Sequence, residues 1–151
     1  MLKNIRELLT RSLSASGEET PADRERALKL ATAALLIEVM RADYSENLTE
    51  NEMIFSQLKR HFDLSEDDAF LLVQEAEREA DYAVSLQGFT RLLHEHLSAE
   101  EKHAVVEMLW RVAMADEHLD KHEDHLVRKI ADLLYVSHAD LIRIRNTVLD
   151  S

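Results

Sequence analysis

The chain has 151 residues, with 30 acidic side chains against 18 basic ones, two glycines, one proline and no cysteine. One domain of this length buries about 68–70% of its unfolded surface, so a core forms without disulfides or thiolate metal sites, which the absence of cysteine excludes anyway. So few glycines exclude phosphate-cradling loops and many-turned β folds, and a formal charge of −12 opposes nucleic acid and anionic membranes.

In chain order, Leu2, Ile5, Leu9 and Leu13 set the spacing of an amphipathic helix over residues 2–14, with Lys3, Arg6 and Arg11 near it and Gly17 as its stop. Such a helix either packs on the domain's own core, or on another protomer's, or docks on a protein partner or a membrane surface; core packing is the expectation. Next come repeated capping boxes, in which a first residue caps a backbone N–H and an acid three residues later bonds back. They are Thr20–Asp23, Thr49–Glu52, Ser65–Asp68, Ser98–Glu101, Asp120–Glu123 and Ser137–Asp140. Pro21 sits at a first helical position, where its missing N–H costs nothing.

Apolar stripes of helical spacing follow each box. They run through Leu28, Ala31, Leu35 and Val39; Phe55, Leu58 and Phe62; Ala69, Leu72, Val73, Ala76, Ala80 and Ala83; Val105, Met108, Leu109 and Val112; Leu126, Ile130, Leu133 and Leu134; and Leu141, Ile144 and Val148. A shorter helix lies between Gly88 and Leu97. The prediction is one all-α domain over 1–151, a bundle of seven or eight helices. The apolar run from Ala33 to Ile37 stops at Glu38, far too short for a bilayer, and no segment reads as a targeting signal, so a cytoplasmic location without membrane insertion is expected.

The chain also repeats itself. Ala42–Asp43 and Ala115–Asp116 lie 73 residues apart. Upstream, Leu35-Leu36-x-x-Val39 matches Met108-Leu109-x-x-Val112. Downstream, Leu48-Thr49-x-x-Glu52 matches Leu119-Asp120-x-x-Glu123 after a two-residue gap, and Leu64-Ser65-x-x-Asp68 matches Val136-Ser137-x-x-Asp140. The pseudo-repeats span 20–84 and 98–151, and each first helix is apolar enough to require burial against the other.

The stretch from Leu109 to Leu134, LWRVAMADEHLDKHEDHLVRKIADLL, resembles the second half of the tellurite-resistance TerB family, and the resemblance extends over both halves, from about Ala27 to Ile144. The family's Ala-Asp-Gly reads Ala-Asp-Tyr44 and Ala-Asp-Glu117 here. The resemblance implies an all-helical fold, a bacterial cytoplasmic setting, a link to tellurite or stress response, and no enzymatic activity. It also implies divalent-cation binding by acidic loop residues, which map to Asp43, Glu52, Asp116 and Glu123. A related helical domain precedes the J domain of some DnaJ-type co-chaperones, so a metal-free protein–protein adaptor is the alternative.

The residues supply their own argument about these acids. Asp43 and Asp116 are each read in the last turn of a helix, where a carboxylate opposes the macrodipole at a cost of about 0.3–1 kcal/mol. Either each accepts amide N–H groups of the helix that follows, or the acids hold a hard cation such as Ca²⁺, Mg²⁺ or Mn²⁺. The first is the simpler account, since Glu52 and Glu123 already serve as capping acids. His122 and His125, three apart on one helix, are secondary ligand candidates that would favour Zn²⁺; a solvated polar face explains them equally. His94 and His96 point different ways. Only Glu100–His103 matches the Glu-x-x-His of di-metal bundles, and no nucleophile–base motif is present, so a non-enzymatic module is expected. A protein partner or self-association is expected; Trp110, beside the Leu109 stripe, is read as core.

Overall fold

A computed structural model describes residues 20–42, 48–82, 86–115 and 119–151. The predicted helix over 2–14, Asp43, Asp116 and His118 lie outside these residues. Seven helices are present among the described residues and no strand: α1 Pro21–Arg41, α2 Leu48–Phe62, α3 Glu66–Tyr82, α4 Leu86–His96, α5 Ala99–Ala113, α6 Lys121–Leu133 and α7 His138–Leu149. The all-α expectation holds, and no described helix is long and apolar enough to cross a membrane.

The caps form largely where the side chains predict them. The hydroxyls of Thr20, Ser65, Ser98 and Ser137 each accept the backbone N–H three residues on, at 3.1 Å. At Ser98 the box closes in both directions, because Glu101 Oε1 accepts the Ser98 N–H at 2.9 Å. Asp120 caps α6 through the His122 N–H at 2.8 Å. Thr49 is the exception. α2 begins at Leu48, so Thr49 stands inside the helix and Glu52 is not a capping acid.

That start changes the register of the repeat. α6 begins at Lys121, 73 residues after Leu48, so the second helices align without the expected two-residue gap. The offset shortens to 72 only beyond them. Asp63 and Tyr135 both hold positive φ (54° and 60°), and Leu64 and Val136 donate N–H bonds to carbonyls five residues back, Lys59 and Ala131, at 3.0 and 2.9 Å. This is a Schellman close at the end of each second helix, built with a left-handed residue where glycine is usual. The positive φ is costly for tyrosine, at roughly 1–2 kcal/mol. We expect Tyr135→Gly to raise stability by about 0.5–1 kcal/mol after its own chain-entropy loss, measured by urea unfolding, and Asp63→Gly to gain less because aspartate tolerates this conformation.

The core is built around α1. Ala27, Leu30, Ala31, Ala33, Ala34, Leu35, Leu36, Ile37 and Val39 are all buried, so nearly the whole circumference beyond the first turn is covered. Helices that are apolar all round belong at the centre of a fold. α1 packs on α2, α3, α4, α5 and α6, and α5 packs on α1, α2, α6 and α7. The two first helices thus meet, as their composition requires. Each second helix also leans on the first helix of the other half, α2 on α5 and α6 on α1. Trp110 on α5 is fully buried, with the Arg145 guanidinium 5.9 Å from its ring centre.

Candidate functional site

The acidic helix junctions fall partly within the described residues. Asp43 and Asp116 do not, so the structure describes Glu52 and Glu123 of the expected four. The two differ completely. Glu52 is exposed on α2, whereas Glu123 is 1% exposed on the first turn of α6. The counterpart of Glu123 is Glu50, which is fully buried on the first turn of α2.

The two-residue gap in the alignment of the repeats pairs Glu52 with Glu123 and so passes over Glu50. The signal was available. Asp43 to Glu50 and Asp116 to Glu123 are both seven residues, a spacing that needs no gap. A carboxylate taken out of water costs several kcal/mol unless its surroundings compensate it. Chance placement of one such group at the same point of each repeat is a poor account, so burial at this position is a built property of the junction. Helix first turns supply part of the compensation, since their free N–H groups and positive dipole end favour an anion.

Among the described residues the histidines assemble no site. His122 and His125 are both exposed on α6, and no group of three His, Asp or Glu side chains able to hold a metal converges among the described residues. His94 instead packs its ring on Tyr135, 4.5 Å between centres, and its Nδ1 lies 2.5 Å from Lys102 Nζ. His103 lies 3.6 Å from Asp140. The Ser137 hydroxyl, then Arg143 and His103, hold the Asp140 carboxyl below its ordinary range. Bonds from the backbone N–H and hydroxyl of Ser98 lower Glu101 likewise. Both are cap acids, not ligands.

Beside the second junction, a cleft of about 480 Å³ is lined by Met53, Arg111, Met114, Leu119, Arg145 and Val148. Arg111 is engaged by Glu107 at 3.2 Å and by the Ser151 hydroxyl at 3.2 Å. Arg145 spreads over Trp110. The cleft thus carries two guanidiniums in an acidic chain.

One acid near the end of α1 is shifted the other way. Burial pushes Glu38 above its ordinary value, with Arg41 opposing and Asp81 adding to the effect. Folding therefore favours the protonated form. That preference is harmless below the unfolded pKa and becomes a loss of stability as pH rises through the folded one. Glu38→Gln should accordingly be more stable than the parent at pH 7, with the difference vanishing below about pH 4, where the unfolded carboxyl is also protonated. Urea unfolding at the two pH values measures it; a gain of equal size at both would point to a packing effect instead.

Comparison with known proteins bears on the family and the fold. The family model described as tellurite resistance protein TerB matches residues 29–146. No curated protein sequence matches the chain. Among solved structures, a protein of unknown function, PG1108, from Porphyromonas gingivalis is similar at 17% identity and a TM-score of 0.61, over 82% of this chain and 95% of that one. At that identity the likeness concerns the fold alone.

Proposed function

The chain belongs to the tellurite resistance protein TerB family, and from that premise we propose that it is a non-enzymatic, cytoplasmic stress-response module whose helix junctions respond to a divalent cation. The residues assigned to this role are Asp43 with Glu50 in the first half and Asp116 with Glu123 in the second. Glu52 is left as a surface acid, and His122 and His125 as a solvated face. The observation that carries the reading is the burial of Glu50 and Glu123 at one repeat position, at 0% and 1% exposure. Oxygen-only donors at such a place suit Ca²⁺, Mg²⁺ or Mn²⁺ over Zn²⁺. Because α2 and α6 each lean on the other half's first helix, neutralising their first-turn acids would tighten the contact between the halves. Absence of thiols argues against direct reduction of tellurite by this chain.

Titration calorimetry and thermal melts with the chlorides of Ca²⁺, Mg²⁺ and Mn²⁺ test the proposal. A cation that binds only the folded state stabilises it by about 2.7 kcal/mol at a hundred times its Kd, and the melting temperature rises accordingly. The rise should be lost in Asp43→Asn/Glu50→Gln and in Asp116→Asn/Glu123→Gln, and kept in Glu52→Gln. Neither heat nor a shift at millimolar cation would remove the cation from the proposal and leave the metal-free adaptor as the better account.

A further inference from the structure

A cation partly withdrawn from water is ordinarily paired, because burial without a counter-charge is costly. The four arginines of the second half divide on this point. Arg111 has Glu107 at 3.2 Å, Arg128 has Asp124 at 3.0 Å and Arg143 has Asp140 at 3.4 Å. Arg145, half-buried on α7, has no ion pair among the described residues, and its Nε is shut off from solvent with no hydrogen-bond partner there. Its guanidinium lies 5.9 Å from the ring centre of the fully buried Trp110, which holds it in place. In a chain of formal charge −12, a fixed guanidinium without an acid needs an explanation.

Arg145 opens on the cleft of about 480 Å³ described above, and no acid stands among the described residues that line it. Its other walls are apolar. Met53 of α2, Met114 at the end of α5 and Leu119 pack against the core with part of their surface free, and Leu149 of α7 is 54% exposed. Small-molecule sites have this form: about 300–1,000 Å³, mostly apolar, with a few polar groups that fix orientation. Two of the walls are methionines, whose flexible thioethers adapt to an apolar chain. The head group follows from charge. Glu107 already offsets Arg111, so the cleft presents one uncompensated positive charge. A guanidinium fork matches a carboxylate through two parallel hydrogen bonds, and a single carboxylate balances that charge.

We propose that this cleft binds an aliphatic monocarboxylate of the medium-chain fatty-acid type, with its carboxylate on Arg145 and its chain over Met53, Met114, Leu119 and Leu149. The ligand touches α2 of the first half and α5 and α7 of the second, so it bridges the two halves. It uses neither Glu50 nor Glu123 and is independent of any cation at the helix junctions.

The single tryptophan of the chain sits beneath Arg145 and makes the test direct. The full chain is titrated with decanoate below its micelle concentration, in buffer containing EDTA so that no metal contributes, and Trp110 fluorescence and titration calorimetry are read together. A saturable response with one decanoate per chain is expected. Acetate, which lacks the chain, and 1-decanol, which lacks the charge, should each bind far more weakly. Arg145→Gln should weaken decanoate binding roughly ten- to hundredfold, the loss of hydrogen bonds to a charged group. Leu149→Asp, at an exposed position that leaves the core intact, should weaken it as well while the circular dichroism melt stays as in the parent. Arg143→Gln, on the same helix but outside the cleft, should leave it unchanged. No saturable decanoate binding would overturn the proposal. So would binding that neither Arg145→Gln nor Leu149→Asp weakens, which would be adsorption elsewhere. Acetate or 1-decanol binding as tightly as decanoate would overturn it too, since the cleft would then hold an adventitious anion or any apolar chain.

Discussion

Trp110→Ala should lower the stability of this protein by about 3–5 kcal/mol, one of the largest losses available to a single substitution. Trp110 is fully buried on α5, the helix through which the second half meets the first, and Arg145 covers its ring from α7. Removing the indole leaves a cavity that neither neighbour can fill, because α1 and α5 are held by contacts along their lengths. For a domain near 150 residues this corresponds to roughly 6–20 °C in melting temperature. Trp110→Phe should cost less, since it keeps an aromatic body and gives up only the outer ring and an indole N–H that has no hydrogen-bond partner among the described residues. A loss below 1 kcal/mol for Trp110→Ala would mean that the halves do not depend on this contact.

The second large effect separates Glu50 and Glu123, at one repeat position, from Glu52, two residues further along α2. Glu123→Lys should destabilise by about 3–5 kcal/mol, because it puts an ammonium on a first turn whose free N–H groups already repel it, in a place with no access to water. Glu50→Lys should behave alike. Glu52→Lys, on the exposed face of α2, should stay within about 0.5 kcal/mol of the parent. Chemical denaturation of the three variants in metal-free buffer measures this without reference to any ligand. If Glu52→Lys were the costly one, the register of the repeat described above would be wrong.

The helices were legible because their signals are local. A cap and its acid are three residues apart, and Thr20, Ser65, Ser98, Asp120 and Ser137 open helices for reasons contained in one turn. The centrality of α1 was legible as well, since Ala33 to Ile37 leave it no polar face to turn to solvent. The TerB resemblance rested on such segments and the family match supports it. The first junction is not legible in the sequence, for a related reason. Thr49 and Glu52 have the right spacing for a box, and nothing local says that the helix has already begun at Leu48.

What the sequence determines by itself is therefore the all-helical class, the bulk of the helix starts, the doubling of the domain and its excess of acid, because each follows from composition or from contacts within a few residues. The tertiary structure alone decides which acids matter. Glu50 and Glu52 are the same residue type two positions apart, and only the packing of α2 on α1, α3 and α5 buries one and leaves the other in water. Burial is a property of what lies opposite a side chain. That information is carried by residues distant in the sequence, and it becomes readable only when the two halves are assembled.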